Sequence, residues 1–71
     1  MKLLSDIKIN DDFEITKIET SLQKLCMSHG LFEGCKGSVI QKLPFKGGLV
    51  LSLRESRLGL RFENARKIQV R

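Results

Sequence analysis

The sequence predicts a mainly β domain, a small SH3-like, partly open barrel of about five strands with one short helix between the first and second. Three observations predict it. Apolar residues alternate with polar ones over several short stretches, which is the signature of half-buried strands. Only one stretch carries helical spacing instead. At 71 residues the chain has room for one core and expects a single domain over 1–71. An OB-fold, usually longer, is the second choice.

The strands read in order. Phe13 and Ile15 begin the alternation, and Ile18 falls out of phase, which predicts a bulge or the strand's end. Val39 and Leu43 fit a second strand, with Ile40 leaving its register open. Leu49, Leu51 and Leu53 share one face of a third, opposite Val50, Ser52 and Arg54. Leu58, Leu60 and Phe62 share one face of a fourth, and Ile68 and Val70 close the series. Pro44 to Gly48 links the second and third strands, with Gly47 and Gly48 free to take positive φ. Glu55-Ser56 suits a primed two-residue turn poorly, so a longer or bulged hairpin is expected there.

The helix is predicted over Thr20 to His29. Thr20 would cap it, with Gln23 completing a capping box. Leu22, Leu25, Cys26 and His29 form its apolar stripe. Gly30 suits the left-handed position beyond the helix, and Leu31 would fold back toward Cys26.

Composition narrows the function. The chain is 41% hydrophobic and 30% charged, so a folded domain is expected rather than disorder. The net charge of +5 is uneven. Residues 1–35 hold four basic and six acidic side chains; residues 36–71 hold nine basic and two acidic. Arg54, Arg57 and Arg61 point outward if the leucines point inward, with Arg54 placed near Arg57 across the hairpin. Nucleic-acid binders of this size usually add exposed aromatics for stacking. Here Trp and Tyr are absent, and Phe13 and Phe62 are assigned to the core. The second exposed set is Met27, His29, Leu31 and Phe32 at the helix end, since a small domain cannot bury them all. Closure of the barrel by Leu31 and Phe32 is the competing reading.

Catalysis and metal binding have little to stand on. The sole histidine, His29, lies three residues after Cys26, with no carboxylate at helical spacing to orient it. Cys26, His29 and Cys35 are the candidate metal ligands, but three ligands leave the usual tetrahedral set incomplete. No phosphate-binding glycine loop is present. No cofactor and no enzyme activity are expected. Two cysteines in so short a chain fit a reducing cytosol better than a disulfide framework. No apolar run approaches a membrane span, and the opening residues do not form a signal peptide.

Four stretches carry a resemblance. Leu4-Ser5-Asp6-Ile7, Leu25 to Gly34 (read as L-C-M-S-H-G-L-F-E-G), Pro44-Phe45 with Gly47-Gly48, and Arg57 to Arg61 followed by Glu63 to Val70 occur in the order and spacing of the ferrous iron transport protein A (FeoA) family. The chain resembles that family from about Leu3 to Val70. Glu33 stands where the family usually has proline, and Glu55-Ser56 where it often has glycine. The resemblance implies an SH3-like, non-enzymatic, cytoplasmic accessory of ferrous iron uptake. It implies a position at the inner face of the membrane through a partner, the cytoplasmic GTP-binding region of the transporter FeoB, without insertion in the membrane itself. It does not supply Cys26, His29 or Cys35 as ligands. Met27, His29, Leu31, Phe32, Arg54, Arg57 and Arg61 are the expected partner-facing residues. Two other readings are a nucleic-acid-binding barrel and a metal-sensing domain similar to those of iron-dependent repressors. Exposed strand edges also leave self-association open.

Overall fold

The computed structural model describes residues 2–71. Among them, six strands form one antiparallel sheet: β1 (Lys2–Leu3), β2 (Asp12–Ile18), β3 (Lys36–Leu43), β4 (Gly48–Ser52), β5 (Arg57–Leu60) and β6 (Ile68–Val70). Their order across the sheet is β1-β6-β2-β3-β4-β5, and the sheet does not close on itself. Two short helices accompany it, α1 (Gln23–Ser28) between β2 and β3 and α2 (Phe62–Ala65) between β5 and β6. The mainly β, SH3-like architecture with a helix after the first long strand is therefore as the sequence predicts. The sixth strand is the two-residue β1.

The middle of the sheet is β2, and it serves two neighbours in turn. Asp12, Phe13 and Glu14 pair with Ser38, Gly37 and Lys36 of β3. Ile15, Lys17 and Ile18 pair with Val70, Gln69 and Ile68 of β6. The register shifts between Ile15 and Lys17. That bulge lets Ile15 and Ile18 both be buried, three residues apart, while Lys17 stays in solvent. A second shift, between Val39 and Gln41, bends β3 at the residue whose register the sequence left open, Ile40.

The core follows from these registers. Phe13, Ile15, Ile18, Val39, Leu49, Leu51, Leu60, Ile68 and Val70 come from the sheet. Leu4, Ile7, Leu22, Cys26, Leu31 and Ala65 come from the segments that cover it. Leu49 and Leu51 sit opposite Leu60 and Leu58 across the β4–β5 pair, which puts facing leucines on one side of the hairpin.

Several local expectations are corrected. Leu43 is exposed, because the bulge in β3 turns the strand's last residues outward. Phe62 does not extend β5; it begins α2 and is half-buried. Thr20 does not cap the helix. Thr20–Leu22 form a 3-10 turn, and neither that turn nor α1 has a side-chain cap. The Gln23 side-chain amide donates instead to the Ile18 carbonyl at 3.3 Å. Of the predicted helix stripe only Leu22 and Cys26 are buried; Leu25 and His29 are exposed. In the β3–β4 turn, Phe45 and Lys46 take the positive φ values of 57° and 55°, whereas Gly47 does not. Gly48 has φ 144°, and a Cβ there would lie 2.7 Å from the Leu60 carbonyl oxygen. The β4–β5 connection is a four-residue turn, Leu53 to Ser56, in which the Leu53 N–H donates to the Ser56 carbonyl at 2.8 Å.

Gly37 marks the tightest approach in the sheet. A Cβ on it would lie 2.6 Å from the Ser52 carbonyl oxygen and 3.2 Å from the Phe13 ring. Gly37→Ala should therefore cost about 1–3 kcal/mol through overpacking. Each kcal/mol should lower Tm by about 4–8 °C in a domain of this size. Leu51→Ala, at a fully buried position, should cost about 2–5 kcal/mol. That rivals the whole stability of so small a domain. Urea titration followed by circular dichroism checks both.

Candidate functional site

The end of α1 organises a large open cleft. Gly30 is left-handed at φ 82°. Its N–H donates to the Met27 carbonyl at 3.1 Å, and the Leu31 N–H donates to the Cys26 carbonyl at 2.8 Å. This pair of bonds is a Schellman closure, with Gly30 free to take a conformation that side chains resist. Leu31 then drops into the core with no exposed surface. The next residue, Phe32, is turned outward and remains 57% exposed. The chain reverses through Gly34 at φ 93°, and the Cys35 N–H donates to the Phe32 carbonyl at 3.0 Å. The Gly34 N–H donates to the Ile15 carbonyl at 2.7 Å, and the Cys35 carbonyl accepts from the Ile15 N–H at 2.8 Å. The positive-φ position of this turn falls on Gly34, so Glu33 in place of proline leaves it intact.

The cleft, open to solvent and of about 1100 Å³, lies between this loop and the β4–β5 turn. His29 and Phe32 form one wall, and Leu53, Arg54 and Glu55 the other. Phe13 and Gly37 lie at its floor, where the absence of a side chain on Gly37 keeps the surface low. Charge of both signs rims it. Arg71 Nη2 is 3.4 Å from Glu14 Oε2, and Lys36, Arg54 and Glu55 make no ion pair among the described residues.

The structure divides the predicted site residues. His29, Phe32 and Arg54 line the cleft together. Met27 is 72% exposed on α1 but does not line it. Leu31 leaves the surface set altogether, because its side chain is core. Arg57 and Arg61 are exposed outside the cleft. Arg54 lies within the four-residue turn rather than on the ladder, and Ser52, not Arg54, faces Arg57 across the hairpin. Arg61 is 3.7 Å from Glu63, a fully solvated pair of little energetic weight.

The candidate metal ligands are in three different settings. Cys26 is buried, Cys35 half-buried and His29 exposed. Among the described residues no group of three or more His, Cys, Asp or Glu side chains is placed to hold a metal ion. Both cysteines are free thiols. Burial pushes the Cys26 thiol above its ordinary range, since the thiolate would lose its hydration. Cys26 is thus a small core residue rather than a nucleophile.

Two exposed phenylalanines alter the aromatic count made from the sequence. Phe32 lies at the cleft, and Phe45 lies fully in solvent at the tip of the β3–β4 hairpin. Phe32 was among the residues expected at the exposed helix end, whereas Phe45 was assigned to neither core nor surface. The signal that could have found Phe45 is its place between Pro44 and Lys46, inside a turn too short to fold back on the core.

A family model described as the FeoA domain matches residues 2–71. The chain belongs to the FeoA family. The solved structures agree in fold. A FeoA-like protein from Clostridium acetobutylicum is 25% identical, with a TM-score of 0.87 over 99% of this chain and 84% of that one. FeoA from Chlorobium tepidum is 27% identical, with a TM-score of 0.84 over 96% of this chain and 67% of that one. The manganese regulator SloR, 15% identical, has the same fold over 99% of this chain at a TM-score of 0.85, but only 34% of SloR is covered. Among curated protein sequences none matches this chain. Membership makes this FeoA chain a small protein related to ferrous iron uptake. No helix among the described residues is long and apolar enough to cross a membrane.

The thiols provide a check on this geometry. Iodoacetamide should label half-buried Cys35 well before Cys26 in the native protein, read by mass spectrometry of the peptides. With the Cys26 thiol raised in the fold, the native state keeps a proton that the unfolded chain gives up above about pH 8.5. Stability should therefore fall as pH rises through that range. In Cys26→Ala that part of the slope should vanish in urea titrations at successive pH values.

Proposed function

We propose that this protein is a non-enzymatic accessory of ferrous iron uptake, working in the cytoplasm by binding the cytoplasmic GTP-binding region of the ferrous iron transporter FeoB. The observation that carries the reading is the FeoA match over residues 2–71, joined to a cleft whose exposed apolar wall and mixed rim have the character of a contact surface. Phe32 is the anchor of that surface, with His29 and Arg54 beside it and Met27 next to it on α1. Aromatic anchors dominate binding energy where they are desolvated at the centre of a contact. Arg54, Arg57 and Arg61 supply charge that favours an acidic partner and raises the association rate.

A second reading has one observation in its favour. The fold is shared with the manganese regulator SloR and with ScaR, the latter solved with bound Zn2+ at 18% identity and a TM-score of 0.86. In that reading the chain senses a metal. Thermal melting that is unchanged by ferrous iron or zinc would remove it.

Isothermal titration of the protein against the isolated cytoplasmic region of the transporter tests the first reading. Phe32→Ala should weaken binding by about tenfold or more. Arg54→Glu should slow association and flatten its salt dependence. No measurable binding by the wild-type protein would sink the proposal.

A further inference from the structure

The sheet does not close, and β5 is one of its two free edges. Among the described residues β5 pairs with β4 alone, from Ser52↔Arg57 to Leu49↔Leu60, with no shift of register. The Leu53 N–H, bonded to the Ser56 carbonyl at 2.8 Å, sets the start of this ladder. Bonded and non-bonded pairs alternate from there. Leu58 and Leu60 therefore bond to β4, whereas Arg57 and Gly59 turn their N–H and C=O groups to the open side. Neither makes a further backbone bond among the described residues. The edge thus presents donors and acceptors in a row, and neither a bulge nor a proline blunts it.

Gly59 is an independent sign at the same place. Glycine inside a strand weakens it, and it marks a bulge, a tight bend or the close approach of another chain. The ladder is regular at Gly59, and its φ is not positive. A Cβ there would meet nothing within 4 Å, so no neighbour in the fold requires its absence. The residue is exposed, and what a glycine exposes is backbone. Approach from outside is the use that remains. Arg57 and Arg61 flank Gly59 on the outward face by strand alternation. Arg57 makes no ion pair among the described residues, and Arg61 has only the solvated Glu63 at 3.7 Å.

We propose that β5 is a docking edge for an extended acidic segment of a protein partner, which adds to the sheet as a further strand. Carboxylates of the segment lie opposite Arg57 and Arg61, on either side of a large apolar side chain over Gly59. Backbone chemistry selects a polypeptide. The phosphates of a lipid surface or a nucleic acid accept hydrogen bonds but donate none, so they leave the outward C=O groups unpaired. Charge selects against a second copy. Antiparallel self-pairing about Gly59 sets Arg57 of each copy against Arg61 of the other, and like charges directly opposite are destabilising. The other free edge, β1, carries Lys2 and no acidic residue. The edge lies outside the cleft, and the inference does not require the transporter to supply the segment.

The test uses two synthetic peptides, each acetylated and amidated: Thr-Glu-Thr-Phe-Thr-Glu-Thr and its counterpart with lysine for glutamate. Binding is read by NMR of the isotope-labelled protein. The glutamate peptide should shift the amides of residues 57–61 and slow hydrogen exchange at Arg57 and Gly59. The lysine peptide should bind at least about tenfold more weakly. Gly59→Pro loses only the outward N–H, which an edge strand tolerates, and should abolish binding. Arg57→Glu combined with Arg61→Glu should turn the preference to the lysine peptide. If Gly59→Pro fails to fold, that reversal decides alone. Gly59→Ala should melt at or above the wild type. Absence of wild-type binding at millimolar peptide, equal binding of the two peptides, or binding that survives in folded Gly59→Pro would each overturn the proposal. Self-association in analytical ultracentrifugation, or sedimentation with phosphatidylserine vesicles, that is lost in folded Gly59→Pro would overturn it in favour of a second copy or a lipid surface.

Discussion

Everything in this molecule depends on the slip of register inside β2. Strict alternation from Phe13 would bury Ile15 and Lys17 and push Ile18 into water. An uncompensated lysine in the core is among the costliest substitutions a small domain could suffer. The bulge between Ile15 and Lys17 removes that conflict by adding one residue on the solvent side. It also bends the strand, and the bend hands β2 from β3 on one side to β6 on the other. Without that transfer the β1–β6 pair would part from the four-stranded meander β2-β3-β4-β5.

The cleft is a second consequence of the same strand. Ile15 bonds both to Gly34 and to Cys35 through its backbone, which pins the loop that follows α1. Once Gly30 has reversed the helix end, consecutive residues take opposite fates, Leu31 inward and Phe32 outward. The loop is therefore too tightly tied to bury Phe32 by a small movement. The surface on which the functional reading rests is built by backbone hydrogen bonding, and the exposed aromatic ring is its by-product.

The sequence disclosed most of what local periodicity encodes. The four leucine and valine patterns, the phase break at Ile18 and the helix stop at Gly30 and Leu31 all correspond to observed features, because each is decided within a few residues. What it concealed depends on distant partners. β1 exists only because Lys2 and Leu3 find Gln69 and Val70 at the other end of the chain. Phe62 continues the alternation of Leu58 and Leu60 so well that α2 is invisible in the pattern. Leu43 fits its strand until the bulge near Ile40 rotates it out. In the candidate site, His29, Phe32 and Arg54 were legible as a group, whereas Leu31 was misplaced by one residue of facing. Phe45 escaped notice because hydrophobicity alone says bury, and only the turn's geometry says otherwise.

The pairing of β1 with β6 carries one more consequence. Lys2 lies opposite Val70, so the first described residues and the last run side by side in opposite directions. A pull between these two ends would act across the ladder rather than along it, and would part its hydrogen bonds one pair at a time. The core strands, bonded on both flanks, would feel that load only after β1 had gone. The domain is thus soft toward traction at its ends, and β1 is where a mechanical load from any attached neighbour would first be relieved.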